Sequence, residues 1–118
     1  MGGTIAVVAG AALRPQPAGV ADLSGEANLN GFLSATSVLD AVAAAPRLRA
    51  PTLFAVARGD RFAPVADMRT VYLRAGSARR VLILEPAHFG HGWEMVAHRS
   101  LARRVLAFVR SAGTGEHG

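Results

Sequence analysis

The chain contains no cysteine and no lysine. The first absence excludes a disulfide scaffold and any thiolate metal site, and it fixes no compartment. The second leaves all 13 basic residues as arginine, against 8 acidic ones, for a net charge of +5. Such a charge suits an acidic partner. A nucleic-acid module, however, gathers its cations on one face with aromatics between them. Here the arginines run from Arg14 to Arg110, and aromatics make up only 6% of the chain. A GC-rich coding bias accounts for arginine without lysine amid so much Ala, Gly and Val, and no nucleic-acid partner is expected. Long apolar runs are missing too. None approaches the roughly 20 residues of a membrane span. "TIAVVAGAAL" (Thr4–Leu13) has no Lys or Arg before it, unlike a signal peptide, and Ala6 stands where an N-myristoylation signal needs Ser or Thr. The expectation is a cytoplasmic protein with no membrane partner.

What is present is a globular composition, 51% hydrophobic and 18% charged over 118 residues. That suits one small domain, assigned here to residues 1–112, with a flexible tail over 113–118. No internal repeat and no linker interrupts it. Thr4–Leu13 reads as an Ala-rich helix stopped by Pro15 and Pro17. Gly19–Leu23 reads as a short strand and Ala27–Thr36 as loop. Ser37–Ala45 reads as a helix with a Ser cap, Asp40 in the capping-box place, and Pro46 at its end. Thr52–Ala57 ("TLFAVA") is a continuous apolar run, the pattern of a strand buried on both faces. Pro64 opens a helix that Gly76 is expected to cap. Val81–Leu84 ("VLIL") reads as a second doubly buried strand. Glu94–Ala112 reads as one helix, with Leu101, Val105 and Phe108 inward and Arg99, Arg103 and Arg110 outward.

Strands that alternate with helices predict an α/β fold of about three parallel strands. Chemistry in such sheets gathers at the carboxyl ends of the strands. Those ends carry "SGE" at Ser24–Glu26, "RGD" at Arg58–Asp60 and "HFGHG" at His88–Gly92. An acid follows one strand and a histidine follows the next.

In this order the chain resembles the C-terminal half of an α/β-hydrolase. Met1, Gly2 and Gly3 match the tail of the family's G-x-S-M-G-G nucleophile elbow, so that the chain would start directly after the nucleophilic serine. "GDRFAP" resembles the acid loop, with Asp60 as the acid and Pro64 four residues on. "GHG" resembles the loop that delivers the histidine, which makes it His91. "LSG" at Leu23–Gly25 resembles the end of the sixth strand. Asp22 departs from the family, since that strand is usually apolar. No G-x-S-x-G occurs anywhere in the chain.

The resemblance implies a partial α/β-hydrolase fold and a serine hydrolase of the esterase or dienelactone-hydrolase type. It implies a small ester-like substrate, no cofactor and no metal. His91 would be the base and then the acid, and Asp60 would hold its other ring nitrogen. The backbone N–H after the nucleophile serves the oxyanion, a place that Met1 occupies in this alignment. Phe89 and Trp93 are candidates for the substrate pocket, or else packing under the histidine loop. Read one at a time, the residues have plainer roles. Asp60 suits a turn or cap before Pro64, and Asp67 a solvated helix position. His88 competes with His91, and His88, His91 and Glu94 have a loose metal-ligand spacing that the intervening glycines break. Ser24 lacks the elbow's glycines, and Glu26 suits loop surface. Only about 20 residues separate Gly25 from Pro46, too few for a lid of packed helices. Without a nucleophile the chain is expected to be inactive alone. The competing reading is a non-catalytic α/β module that binds or complements another polypeptide, and either way an exposed sheet edge could mediate association.

Overall fold

The computed structural model describes residues 2–23 and 41–114. Helix α1 (Gly2–Ala12) leads to strand β1 (Val20–Leu23). A short helix α2 (Ala41–Ala44) continues into a 3-10 turn (Ala45–Arg47) and strand β2 (Thr52–Ala57). Helix α3 (Val65–Arg74) and strand β3 (Arg80–Glu85) follow. A 3-10 turn (Ala87–Phe89), helix α4 (Trp93–Val96) and helix α5 (Arg99–Gly113) complete the described chain. The fold is α/β, with one parallel sheet in the order β1-β2-β3. Val20 pairs with Thr52 at one end of the first ladder, and Ala57 pairs with Glu85 at the far end of the second.

The central strand explains the two-layer cover. Successive side chains of a strand point to opposite faces. Phe54 and Val56 enter a core with Val7 and Ala11 of α1, Ala41 and Ala44 of α2, and Met68 and Val71 of α3. Leu53, Ala55 and Ala57 enter a second core with Ile83, Met95, Leu101 and Phe108. Every residue of β2 is buried, as its unbroken apolar run predicts. Phe54 has no exposed surface and meets Tyr72 edge-on at 5.9 Å. Cutting such a side chain to Ala typically costs about 3–5 kcal/mol.

The structure corrects three local expectations. Strand β3 is not doubly buried: only Ile83 is, because β3 pairs with β2 alone among the described residues. Gly76 is not a left-handed cap. The helix ends at Ala75 in extended backbone, and Gly76 is required because a Cβ there would collide with the Pro46 carbonyl. Pro46 does end the α-helix, as expected: α2 stops at Ala44, and Pro46 sits in the first positions of the 3-10 turn that follows, where a missing N–H costs nothing. The last helix is broken. Residues 97 and 98 separate α4 from α5, and extended backbone at His98 (ψ 115°) lays its ring on Phe89. The start of the helix expected over 37–45 and the loop expected over 27–36 fall outside the described residues, as does the tail beyond Thr114.

Candidate functional site

Asp60 and His91 stand on the connections that leave the carboxyl ends of neighbouring strands. Strand β2 ends at Ala57, and Arg58 N–H still bonds Glu85 O at 2.9 Å, so the two exits start side by side. The turn after β2 folds tightly. Asp60 N–H donates to Ala57 O at 3.3 Å, and Gly59 takes a φ of +75°. Asp60 Oδ1 then accepts from the N–H groups of Phe62 and Ala63, both at 2.9 Å. This is the Asx-type turn chemistry that aspartate favours before a helix. The turn contacts and the contact to His91 use different oxygens of the same carboxylate.

The second oxygen meets the histidine. His91 Nδ1 lies 2.7 Å from Asp60 Oδ2. The Asp60 side chain is only 1% exposed and the His91 side chain 33%. Because an ionised carboxylate can only accept, the proton of this bond belongs to Nδ1. Nε2 is then the nitrogen left for proton transfer. On the other side of the ring, Phe62 approaches to 5.2 Å between centroids. Gly90 and Gly92 flank His91 with φ of +81° and +60°, conformations that L side chains rarely adopt, so the "GHG" spacing is what lets the loop turn the imidazole back toward Asp60.

The other candidates separate from this pair. His88 is exposed and faces the rings of Phe89, at 5.0 Å, and His98, at 5.5 Å. Phe89 is 8% exposed, lies in the α5-side core and stacks on His98 at 4.0 Å, so it supports the loop from beneath. Trp93 opens α4, and its side chain lies outside the described residues, as do Met1, Ser24 and Glu26. Gly2 and Gly3 form the first turn of α1. Asp67 lies in the first turn of α3, where a negative charge suits the helix dipole. Asp22 is buried in β1, level with Phe54.

The described serines lie elsewhere. Ser77 is buried at the amino end of the sheet, donating to Leu48 O and touching Thr52. Ser111 is in the last turns of α5, and Ser100 is exposed in its first turn. Among the described residues, no group of three or more His, Asp or Glu could hold a metal ion. None of the described helices is long and apolar enough to cross a membrane. Phe62 is the site residue that sequence reasoning passed over. Its signal was available, an aromatic two residues after the acid in "GDRF", where an Asx turn fixes its backbone. No family model, curated protein or solved structure matches the chain.

Proposed function

We propose that Asp60 and His91 are the acid and the base of a Ser-Asp-His hydrolase site acting on a carboxylic ester or a related acyl bond. The observation that carries this reading is the 2.7 Å contact between a buried carboxylate and the imidazole Nδ1. The order of the resembling motifs, acid loop and then histidine loop, supports it as well. In that reaction His91 Nε2 takes the proton of a serine hydroxyl as it attacks the carbonyl carbon. The proton then passes to the leaving group as the tetrahedral intermediate collapses. Asp60 keeps the ring in the required tautomer and stabilises the imidazolium between those two steps. A carboxylate in a site with little water does this more strongly than one in solvent. Phe62 packs against the His91 ring at 5.2 Å between centroids.

The nucleophile and the oxyanion donors are not among the described residues, and no elbow motif occurs in the sequence. In this reading they come from polypeptide other than these 118 residues. The test supplies them: an elbow-bearing strand carrying G-x-S is joined ahead of Met1, and p-nitrophenyl ester turnover and fluorophosphonate labelling are measured. Saturable turnover that His91→Ala abolishes is the expected result. Turnover indifferent to His91→Ala would sink the proposal. The reading as a non-catalytic complementation module has one observation of its own, the distance of the described serines from the pair. Stoichiometric labelling of the joined serine would set that reading aside.

A further inference from the structure

At the end of the sheet opposite Asp60 and His91, an open groove of about 570 Å³ is lined by Arg14, Gln16, Pro46, Arg47, Arg49 and Ala50. It is a fixed surface. Gln16 joins the loop after α1 to the segment before β2. Its Oε1 accepts from the N–H groups of Arg49 at 2.7 Å and Ala50 at 3.0 Å, and its Nε2 donates to Arg47 O at 2.7 Å. Leu48 between the two arginines is extended and fully buried. Arg47, the last residue of the 3-10 turn, and Arg49, just after Leu48, are both exposed and both line this groove.

The arginines at this end divide by occupation. Arg14 Nη1 donates to Ala11 O at 2.7 Å and Leu13 O at 2.8 Å, closing the end of α1. Arg80 donates to Ala75 O and lies over Tyr72, and Arg79 lies over Phe108. Arg47 and Arg49 have no such task. Among the described residues, neither guanidinium reaches a carboxylate. Charge is also sorted along the molecule. Of the described carboxylates, Asp22 and Glu85 lie at or next to the carboxyl ends of their strands, and Asp60, Asp67 and Glu94 follow β2 and β3. The arginine end carries none of them, so among the described residues no carboxylate there offsets its positive field.

We infer that this groove binds a multiply charged phosphate anion, with Arg47 and Arg49 as the main contacts and Arg14 beside them. Planar guanidiniums match phosphate oxygens in paired hydrogen bonds. The volume exceeds a single phosphate and suits an oligophosphate or a molecule carrying several phosphoryl groups. None of the described lining residues is aromatic, so they offer a nucleobase no ring to stack on. The phosphates, free or carried, are what is read.

The test titrates the full chain with sodium tripolyphosphate by calorimetry in dilute, phosphate-free buffer, with ATP in a parallel arm. The expected result is one site per chain, similar affinity for both anions, and weakening with added salt. Arg47→Ala with Arg49→Ala should weaken binding about tenfold or more, the loss expected for charge-assisted bonds. Arg47→Lys with Arg49→Lys should fall between. Arg99→Ala with Arg103→Ala removes the same charge from the outward face of α5 and should leave binding unchanged. Thermal melts of all variants check the fold. Equal losses in the groove and α5 variants, or many weakly bound anions per chain, would overturn the inference. ATP binding more than about tenfold tighter than tripolyphosphate would overturn the claim that charge alone is read.

Discussion

Asp60 Oδ2 and His91 Nδ1 meet at 2.7 Å across 31 residues of sequence, while Asp60 Oδ1 holds the amides of Phe62 and Ala63. One buried carboxylate thus folds its own turn and fixes the imidazole of the next loop. The two jobs can be separated by substitution.

Asp60→Ala strips two backbone N–H groups and the imidazole of their acceptor. Losing the charged acceptor of one exposed and one part-buried N–H and of the imidazole should cost about 1–3 kcal/mol, read as a shift of the denaturant midpoint. Asp60→Asn keeps an acceptor oxygen for the amides and should cost distinctly less. Equal losses would show that the turn does not depend on Oδ1.

The imidazole should carry its proton on Nδ1. In nitrogen-correlated NMR of the neutral ring, His91 is expected as the Nδ1–H tautomer with a downfield proton, and Asp60→Ala should abolish that signal. A dominant Nε2–H tautomer would contradict the geometry.

In a chain provided with a nucleophile, Asp60→Asn should lower kcat by about 10⁴, the loss seen when the acid of such a triad holds the wrong tautomer. His91→Ala should be at least as damaging. His88→Ala should cost far less, since its ring faces Phe89 and His98. A larger loss for His88→Ala would reverse the assignment of the base.

Gly76→Ala should destabilise the fold by about 1–3 kcal/mol, because the added methyl meets the Pro46 carbonyl and Leu48 carbonyl with no room to move. Gly113→Ala, in α5 with open space around it, should be neutral or stabilising by up to about 1 kcal/mol. Thermal or chemical unfolding of the two variants gives the comparison directly.

The chain should also associate with itself. Strand β1 pairs only with β2 among the described residues, and Leu106 and Val109 lie 52% and 46% exposed on α5. Open strand edges and apolar faces favour association. Light scattering after size exclusion should report species larger than a monomer that grow with concentration. A monomer at all concentrations would show that these surfaces are inert.

The order of elements could be read from the chain because it rests on local physics. Six consecutive buried residues in "TLFAVA" demand cover on both faces, and the helix–strand alternation then leaves parallel crossovers as the simple solution. Asp60 and His91 were legible for the same reason, since each follows a strand in a glycine-marked turn. Tertiary structure alone decided the rest. The contact between Asp60 and His91 was not legible, because packing alone swings the "GHG" loop so that the His91 ring meets a carboxylate 31 residues away. The break at His98 has no proline or glycine to announce it, and it comes where the His98 ring stacks on Phe89. Gly76 reads as a helix cap in sequence and is in fact a point of close approach to Pro46. The arginine groove likewise brings Arg14 beside Arg47 and Arg49, with Gln16 bonded across the two segments, although they lie more than 30 residues apart in sequence. Periodicity and turn chemistry act over a few residues, so they determine elements. Contacts between elements are chosen by packing, and only the folded chain states them.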